Sequence, residues 1–249
     1  MATSIGLPQI LGIVLTGFLP PILWLFFWLR EDLHPEPKKK ILISFILGMA
    51  AVLISLALEA LWFNLLGAIG LVSGKDDLDY YLSSISFSFP LLIIPFALIE
   101  EILKFVMAWW ADFKRNRSYD EPVDALIYLI SVSLGFSALE NGLFLAQVFP
   151  KGMAVAVATA SLRFFGATFL HTLTAGIMGT SLALSFFHKE HKHRNIIGGI
   201  CAATLLHALF NAFIMNSGSP KALLSIFFPV WTMIIVLLFI FEKVKKIRD

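Results

Sequence analysis

The chain has 249 residues, of which 58% are hydrophobic and only 14% are charged. An ordinary soluble domain has about a quarter of its residues charged, so this composition excludes a soluble core and indicates an integral membrane protein. The net charge of +2 says little by itself, and we expect no nucleic-acid partner.

Seven apolar segments follow one another along the chain, and each is long enough for the roughly 20 apolar residues that a membrane-spanning helix needs. They cover residues 6–29, 41–72, 82–111, 123–149, 153–187, 196–216 and 222–241. The sequence therefore predicts an all-α integral membrane protein with about seven transmembrane helices in a single domain, 1–249. The second and fifth segments exceed a simple span and must tilt, kink or project. Proline pairs predict further kinks in the first and third segments, at Pro20-Pro21 and at Pro90 and Pro95.

Basic residues between the segments predict the orientation. One set of connections, together with the C-terminal tail, carries fourteen lysines and arginines, and the alternate connections carry only Lys75, Lys151 and Lys221. Because cytoplasmic loops of membrane proteins are enriched in Lys and Arg, we expect the N-terminus outside and the C-terminus in the cytoplasm.

Two further features of the apolar segments carry expectations. The first segment has no basic flank before it, so we expect a membrane helix and no cleavable signal peptide. The single cysteine, Cys201, has no disulfide partner within the chain, and we expect it to be buried as a packing residue.

The third segment holds two adjacent acids, Glu100 and Glu101, followed one turn later by Lys104. A charge at the bilayer centre costs about 2.5 kcal/mol or more, so such residues have partners and usually a function. Adjacent residues point about 100° apart on a helix, so the two glutamates cannot share one orientation. Glu100 and Lys104, at i and i+4, are spaced for an ion pair.

Further ionisable residues lie inside other predicted spans. At about 1.5 Å per residue, Glu100, Glu101 and His207 lie roughly 17 Å from the cytoplasmic ends of their helices, and Glu140 and His171 lie about 25 Å deep. A purely structural network is one interpretation, and His207 with Asn211 on the same helix face could simply join helices. Glu59 is interpreted as a structural or gating partner.

The alternative interpretation is catalytic. A carboxylate in a cavity of low dielectric constant can act as a general base on water, and a neutral histidine with an asparagine amide can stabilise an oxyanion. The same ligand types could hold a divalent metal that activates water, although the chain lacks the His-Glu-x-x-His motif.

Four ordered motifs between about Pro95 and Phe213 resemble those of the PrsW family of intramembrane proteases, within the wider superfamily of CAAX prenyl proteases and bacteriocin-processing proteins. They are Glu100-Glu101-Ile-Leu-Lys104; Asp124 and Tyr128 with Gly135-Phe136-Ser-Ala-Leu-Glu140-Asn141 and Phe144; Arg163 with His171, Thr174 and Gly179; and His207-Ala-Leu-Phe-Asn211. The chain departs from the family pattern at Ala125, Phe144 and Phe210, where the family often has Gly, Tyr and Trp.

The resemblance implies a glutamate-dependent endopeptidase with its catalytic core at about 82–216. Glu101 or Glu100 would activate water with His171, and His207 with Asn211 would form the oxyanion site. Glu140 would orient the first glutamates, and Lys104, Asn141 and Arg163 would support the site. No cofactor is required in this mechanism, although a metal such as zinc on Glu101, His171 and His207 is an alternative.

The resemblance also implies where the protein acts and on what. The implied partners are the lipid bilayer and a membrane-embedded protein or peptide substrate of the anti-sigma-factor class, and the implied location is a prokaryotic plasma membrane. Three alternatives stay open: a peptidase of the CAAX prenyl-protein type, a membrane scaffold related to the non-catalytic subunit of gamma-secretase, and a proton-coupled transporter.

Overall fold

A computed structural model describes residues 6–71, 89–113, 119–215 and 220–247. Its regular structure, in these ranges, is entirely helical, which confirms the predicted fold class. The α-helices are α1 (Leu7–Arg30), α2 (Lys38–Ala68), α3 (Ile94–Ala108), α4 (Asp124–Val148), α5 (Met153–Leu162), α6 (Thr168–Ala183), α7 (Lys192–Met215) and α8 (Pro220–Val244).

Six helical stretches within these ranges are long and apolar enough to cross a membrane. They are Gln9–Arg30, Lys38–Ala68, Asp124–Lys151, Met153–Ala183, Lys189–Met215 and Phe227–Val244. The third predicted segment, 82–111, begins outside the described residues, but its described part is helical from Phe89 to Phe113. This helix differs from the six because it carries the charged residues Glu100, Glu101 and Lys104.

The predicted irregularities take several forms. Pro20 and Pro21 lie inside a continuous α1, whereas Pro95 follows directly on a π-helical turn, Phe89–Ile93, at the start of α3. The long fifth segment is divided by a π-helical turn, Arg163–Ala167, which joins α5 to α6. Such wide turns inside helices are frequent at functional sites.

Helix α4 is the centre of the bundle. In its apolar stretch 72% of the residues are buried, compared with 11% in the N-terminal stretch Gln9–Arg30. Helices α1, α2 and α6 pack around it. Two glycines allow α2 to cross α4 closely, since a Cβ on Gly48 would lie 1.9 Å from the Val132 carbonyl oxygen, and a Cβ on Gly135 would lie 2.0 Å from that of Phe45. Small residues at helix crossings are typical of membrane bundles.

Several contacts place the ends of distant helices on one face of the bundle. Beyond the end of α8, Lys245 Nζ lies 3.2 Å from the Glu31 carboxylate, which follows α1. Before α4, Glu121 Oε2 lies 3.0 Å from His34 Nδ1 in the α1–α2 connection. Because α1 and α8 both end at this face, the start of α1 and the end of α8 lie on opposite faces of the bundle.

The prediction for Cys201 is wrong, because this side chain is exposed on α7. It lies on the same helix stripe as Ile197 and Leu205, which are also exposed, at 63% and 52%. Ala203 and His207 occupy the buried face. In a membrane helix both faces are apolar, so hydrophobicity alone does not distinguish the lipid-facing stripe from the packed one.

Candidate active site within the membrane

Lys104 lies at the centre of the polar cluster inside the bundle. Its side chain is completely buried, and its ammonium group donates hydrogen bonds to Glu101 Oε1 over 2.8 Å and to His171 Nδ1 over 2.9 Å. The ammonium nitrogen also lies 4.5 Å from the ring centroid of Phe136. Helices α3, α4 and α6 thus meet around one cation, and two of its three N–H groups are used.

Glu101 joins this cation to a fourth helix. Its side chain is completely buried, and Oε1, which accepts from Lys104, also accepts from His207 Nδ1 over 2.7 Å. The expected partner of Lys104 was Glu100, at i+4 spacing, but the Lys104 contact with Glu101, at i+3, is the shorter one. Glu101 is therefore held on one oxygen by two donors.

Glu100 has a different environment. Its side chain is 12% exposed, and its Oε2 atom lies 3.7 Å from Lys104 Nζ and 3.9 Å from His207 Nε2. These distances exceed a hydrogen bond, so this buried oxygen has no partner within the described part of the chain. Glu100 faces the same cation and imidazole as Glu101, but at distances beyond a hydrogen bond.

The contacts fix the tautomer of each histidine. Lys104 can only donate, so His171 Nδ1 accepts, and the proton on Nε2 is donated to Glu140 Oε2 over 2.9 Å. Glu101 is an acceptor, so His207 carries its proton on Nδ1 and presents Nε2 toward Glu100. The two rings lie 5.4 Å apart and nearly perpendicular, at 87°.

A second chain of contacts extends from His171 to the π-helical turn. Arg163 donates from Nη2 to Glu140 Oε2 and from Nε to Asn141 Oδ1. Asn141 in turn donates to Thr168 Oγ1 over 3.2 Å. Arg163 thus neutralises the Glu140 carboxylate through a side chain that the π-helical turn positions.

Two sequence-predicted residues lie at the edge of this network. Glu59 of α2 is half-buried and lies close enough to the cluster for the charges of Glu100, Glu140 and Lys104 to act on it. Its Oε1 atom has no hydrogen-bond partner among the residues described. Asn211, one turn beyond His207, is also half-buried and takes part in none of the bonds above.

Three of the side chains are placed to hold a metal ion. Glu100, His171 and His207 each offer a ligand atom within 4.8 Å of the others, and two histidines with one carboxylate form a common zinc set. The sequence interpretation had Glu101 in this set, but Glu101 Oε1 is engaged by Lys104 and His207. The unpartnered Oε2 of Glu100 fits a ligand role.

Sequence reasoning missed two contacts of the site. It gave no indication that Lys104 and His171, which are 67 positions apart, bond to each other. It also missed the support of Asn141 by Ser137 and Thr168. For Ser137 a signal was present, because it precedes Asn141 by one helical turn, the spacing at which helix side chains meet.

The comparisons with known proteins agree on one family. Residues 36–240, which include the whole site, match the PrsW family of intramembrane metalloproteases. The chain is 25% identical over 201 residues to a Protease PrsW of Geobacillus kaustophilus, which covers 80% of this chain and 78% of that protein. It is 26% identical to Protease PrsW of Oceanobacillus iheyensis and of Bacillus subtilis, over 91% and 96% of this chain and 94% and 96% of theirs. No solved structure matches the chain.

Proposed function

The chain belongs to the PrsW family of intramembrane proteases and is an integral protease of a bacterial plasma membrane, and from this premise we propose that Glu100 is the base that activates water. The observation that carries the proposal is the unpartnered Glu100 Oε2, 3.9 Å from His207 Nε2 and 3.7 Å from Lys104 Nζ. A water molecule admitted between these side chains would contact a base and two polar nitrogens.

The contrast with Glu101 supports this choice. The Oε1 atom of Glu101 accepts two hydrogen bonds, and the whole side chain is inaccessible. A general base must come within hydrogen-bond distance of the proton that it removes. Both glutamates keep an unpartnered Oε2, but the Glu100 side chain is 12% exposed and that of Glu101 is not exposed at all. Glu100 is therefore the one that water and substrate can approach, whereas Glu101 is better suited to orient Lys104 and His207.

The proposed reaction is a water addition followed by loss of an amine. Glu100 removes a proton from water while the water oxygen bonds to the peptide carbonyl carbon. The C–N bond then breaks, and Glu100 returns the proton to the leaving nitrogen. The third N–H of Lys104 and the Asn211 amide are the donors proposed to stabilise the oxyanion. His207 Nε2, which carries no proton in this arrangement, faces Glu100 as an acceptor for the attacking water.

His171 has a positioning role in this mechanism. Both of its ring nitrogens are engaged, one by Lys104 and the other by Glu140. Arg163 holds Glu140 in turn, and Asn141 accepts a second hydrogen bond from Arg163. Because a misplaced donor loses much of its catalytic effect, this chain of bonds serves to hold the Lys104 ammonium beside Glu100.

A metal ion is the alternative source of activated water. Glu100, His171 and His207 would hold it, and zinc bound there would polarise water as a Lewis acid. In that case cleavage by the purified enzyme ends on chelation and returns with zinc. Under the glutamate mechanism cleavage survives exhaustive chelation.

The proposed substrate is a membrane-embedded protein with a single span, of the anti-sigma-factor class, presented from the lipid bilayer. The test is a proteomic comparison of cells that carry the wild-type protein, Glu100→Gln or Glu190→Gln. Glu190 is exposed and lies outside the site, so Glu190→Gln is the matched control. We expect fragments of membrane proteins in the wild type and control that are absent with Glu100→Gln.

The same comparison separates the protease from a scaffold. If the fragments are unchanged by Glu100→Gln in a folded protein, Glu100 is not the base. If no fragment depends on the protein and the variants change only the abundance of partner proteins, the scaffold function replaces the proteolytic one.

A further inference from the structure

A second group of acidic side chains lies away from the active site, where the α1–α2 connection meets the start of α4. Glu36, Asp120 and Asp124 each place a carboxylate oxygen within 4.8 Å of the others. Asp32 and Glu121 lie close enough for their charges to act on this group.

Two of these carboxylates are buried. Asp124 is completely inaccessible, and Glu36 is 8% exposed. Asp124 Oδ2 accepts the backbone N–H groups of Asp120 over 2.9 Å and of Glu121 over 2.8 Å, and the Tyr128 hydroxyl donates to Glu36 Oε2. These bonds fix the direction of both carboxylates.

One oxygen of Asp124 is left without a bond. Its Oδ1 atom is buried and has no hydrogen-bond partner in the described part of the chain, and the same holds for Oδ2 of Asp32. A buried polar atom without a partner is costly, and it calls for an explanation such as an ion. The orphaned oxygen belongs to the most buried member of the group.

The described residues give this group little positive charge. The ion pairs of the described residues place no lysine or arginine on Glu36, Asp120 or Asp124. The charges acting on Glu36 are those of Asp32 and Asp120. Either a cation or a proton must reduce this repulsion.

We propose that Glu36, Asp120 and Asp124 bind a hard divalent cation, Ca²⁺ or Mg²⁺, that ties the α1–α2 connection to the start of α4. All donors are oxygens, as these two ions prefer, and the group contains no histidine or cysteine ligand of the kind that zinc favours. Asp120 is exposed, which leaves a route of entry from solvent.

A bound cation would link the start of α2 to the start of α4. Glu36 lies two residues before the start of α2, and Asp124 is the first residue of α4. These two helices cross closely at Gly48 and Gly135. A bound cation would therefore fix the ends of the helix pair at the face of the bundle and stabilise the folded state.

The test measures thermal unfolding of the purified full-length protein, first freed of metal and held at about pH 7.5, where unperturbed carboxyls are ionised. CaCl₂ and MgCl₂ are titrated separately to about 10 mM, which covers weak carboxylate sites. At a concentration about a hundredfold above the dissociation constant we expect the midpoint temperature to rise by about 5 °C or more. Binding is followed independently by luminescence of Tb³⁺, a substitute for Ca²⁺.

Three variants locate the site. Asp124→Asn should abolish the response to the cation. Asp120→Asn, at an exposed position, should still fold and should weaken cation binding about tenfold or more. Glu190→Gln, remote from the group, should respond like the wild type.

Two outcomes would overturn the proposal. In the first, neither ion changes the unfolding temperature, which instead rises on acidification to about pH 5.5, near the range in which carboxyls take up protons. Glu36 and Asp124 would then share a proton. In the second, the response persists in both Asp120→Asn and Asp124→Asn, and the cation binds elsewhere. If Asp124→Asn does not fold, cation binding by Asp120→Asn decides whether the site is the one proposed.

Discussion

At the scale of single residues, Lys104 decides how the polar cluster is held. Its completely buried ammonium group is bonded to Glu101 and His171 and lies over the Phe136 ring. A buried charge needs compensation, and removal of one partner of a buried pair costs about 3–5 kcal/mol because the other charge is left alone. The same bonds that orient the site therefore also stabilise the bundle.

A double-mutant cycle on Lys104 and Glu101 tests this coupling. Lys104→Met keeps the volume but leaves Glu101 without its cation, so we expect the unfolding temperature of the purified protein to fall by about 10 °C, at 2–4 °C per kcal/mol. Adding Glu101→Gln should recover part of the loss, because the uncompensated charge is removed. Losses that simply add would show that the two side chains are not coupled.

Substitutions of the two neighbouring glutamates should differ in their effects on cleavage and on stability. Glu100→Gln removes the proposed base but breaks no hydrogen bond, so cleavage of an identified substrate should fall by about 10²–10⁴-fold with the unfolding temperature unchanged. Glu101→Gln removes the carboxylate that pairs with Lys104 and His207, so both stability and cleavage should fall. Assays of rate and of thermal unfolding on the same preparations check this. The reverse pattern would make Glu101 the base.

At the scale of helices, a close crossing packs α2, which carries Glu59, against α4, one of the four helices of the site. It depends on glycine, since a Cβ on Gly48 or Gly135 would come within about 2 Å of a backbone oxygen of the other helix. The backbone atoms cannot move away locally as the end of a flexible side chain could. A methyl group at either position must separate the helices along their length.

Glycine substitutions test the crossing. Gly48→Ala and Gly135→Ala should each destabilise the protein by about 1–3 kcal/mol or more, as overpacking does, and should reduce cleavage without touching a polar residue of the site. Gly198→Ala is the matched control, because a Cβ there meets nothing within 4 Å. We expect it to be neutral or to stabilise α7 by up to about 1 kcal/mol. Equal effects at all three positions would assign the loss to helix propensity.

The sequence predicted the helices better than their faces. Apolar length and the ordered motifs gave α3, α4, α6 and α7 as the helices of the site, and these four contribute its side chains. On α3, however, Glu100 and Glu101 both lie within one turn of Lys104, so spacing allows either pair. The contact of Lys104 with His171, across the bundle, selects Glu101, and a contact between distant helices is not encoded in local spacing.

The π-helical turn at Arg163–Ala167 and the exposure of Cys201 escaped prediction for related reasons. Arg163 was expected inside a long helix, and the wide turn that directs it to Glu140 and Asn141 has no local signature in an apolar stretch. Cys201 lies in a helix that is apolar on both sides. In water an apolar face indicates the core, but in lipid it does not.

At the scale of the whole molecule, two contacts define one face of the bundle. The contact of Lys245 with Glu31 brings the ends of α1 and α8 together there, and the contact of His34 with Glu121 adds the starts of α2 and α4. The N-terminal end of α1 therefore lies opposite the C-terminal end of α8, which requires an odd number of crossings. Six described helices are long and apolar enough to span. We expect the helix from Phe89 to Phe113, which carries Glu100, Glu101 and Lys104, to supply the remaining crossing.

The last prediction concerns which face is the cytoplasmic one. The connections at the shared face carry most of the basic residues outside the spans, so the positive-inside rule assigns this face to the cytoplasm. In a Cys201→Ser background, cysteines placed at Lys151 and at Glu190 should be labelled by a membrane-impermeant thiol reagent from opposite sides of intact cells. Lys151 should react from outside, and Glu190 only after permeabilisation. Labelling of both cysteines from the same side would contradict the membrane crossing of α5–α6 between them. Inverted labelling would place the proposed cation site outside the cell, where free Ca²⁺ is far higher than in the cytoplasm.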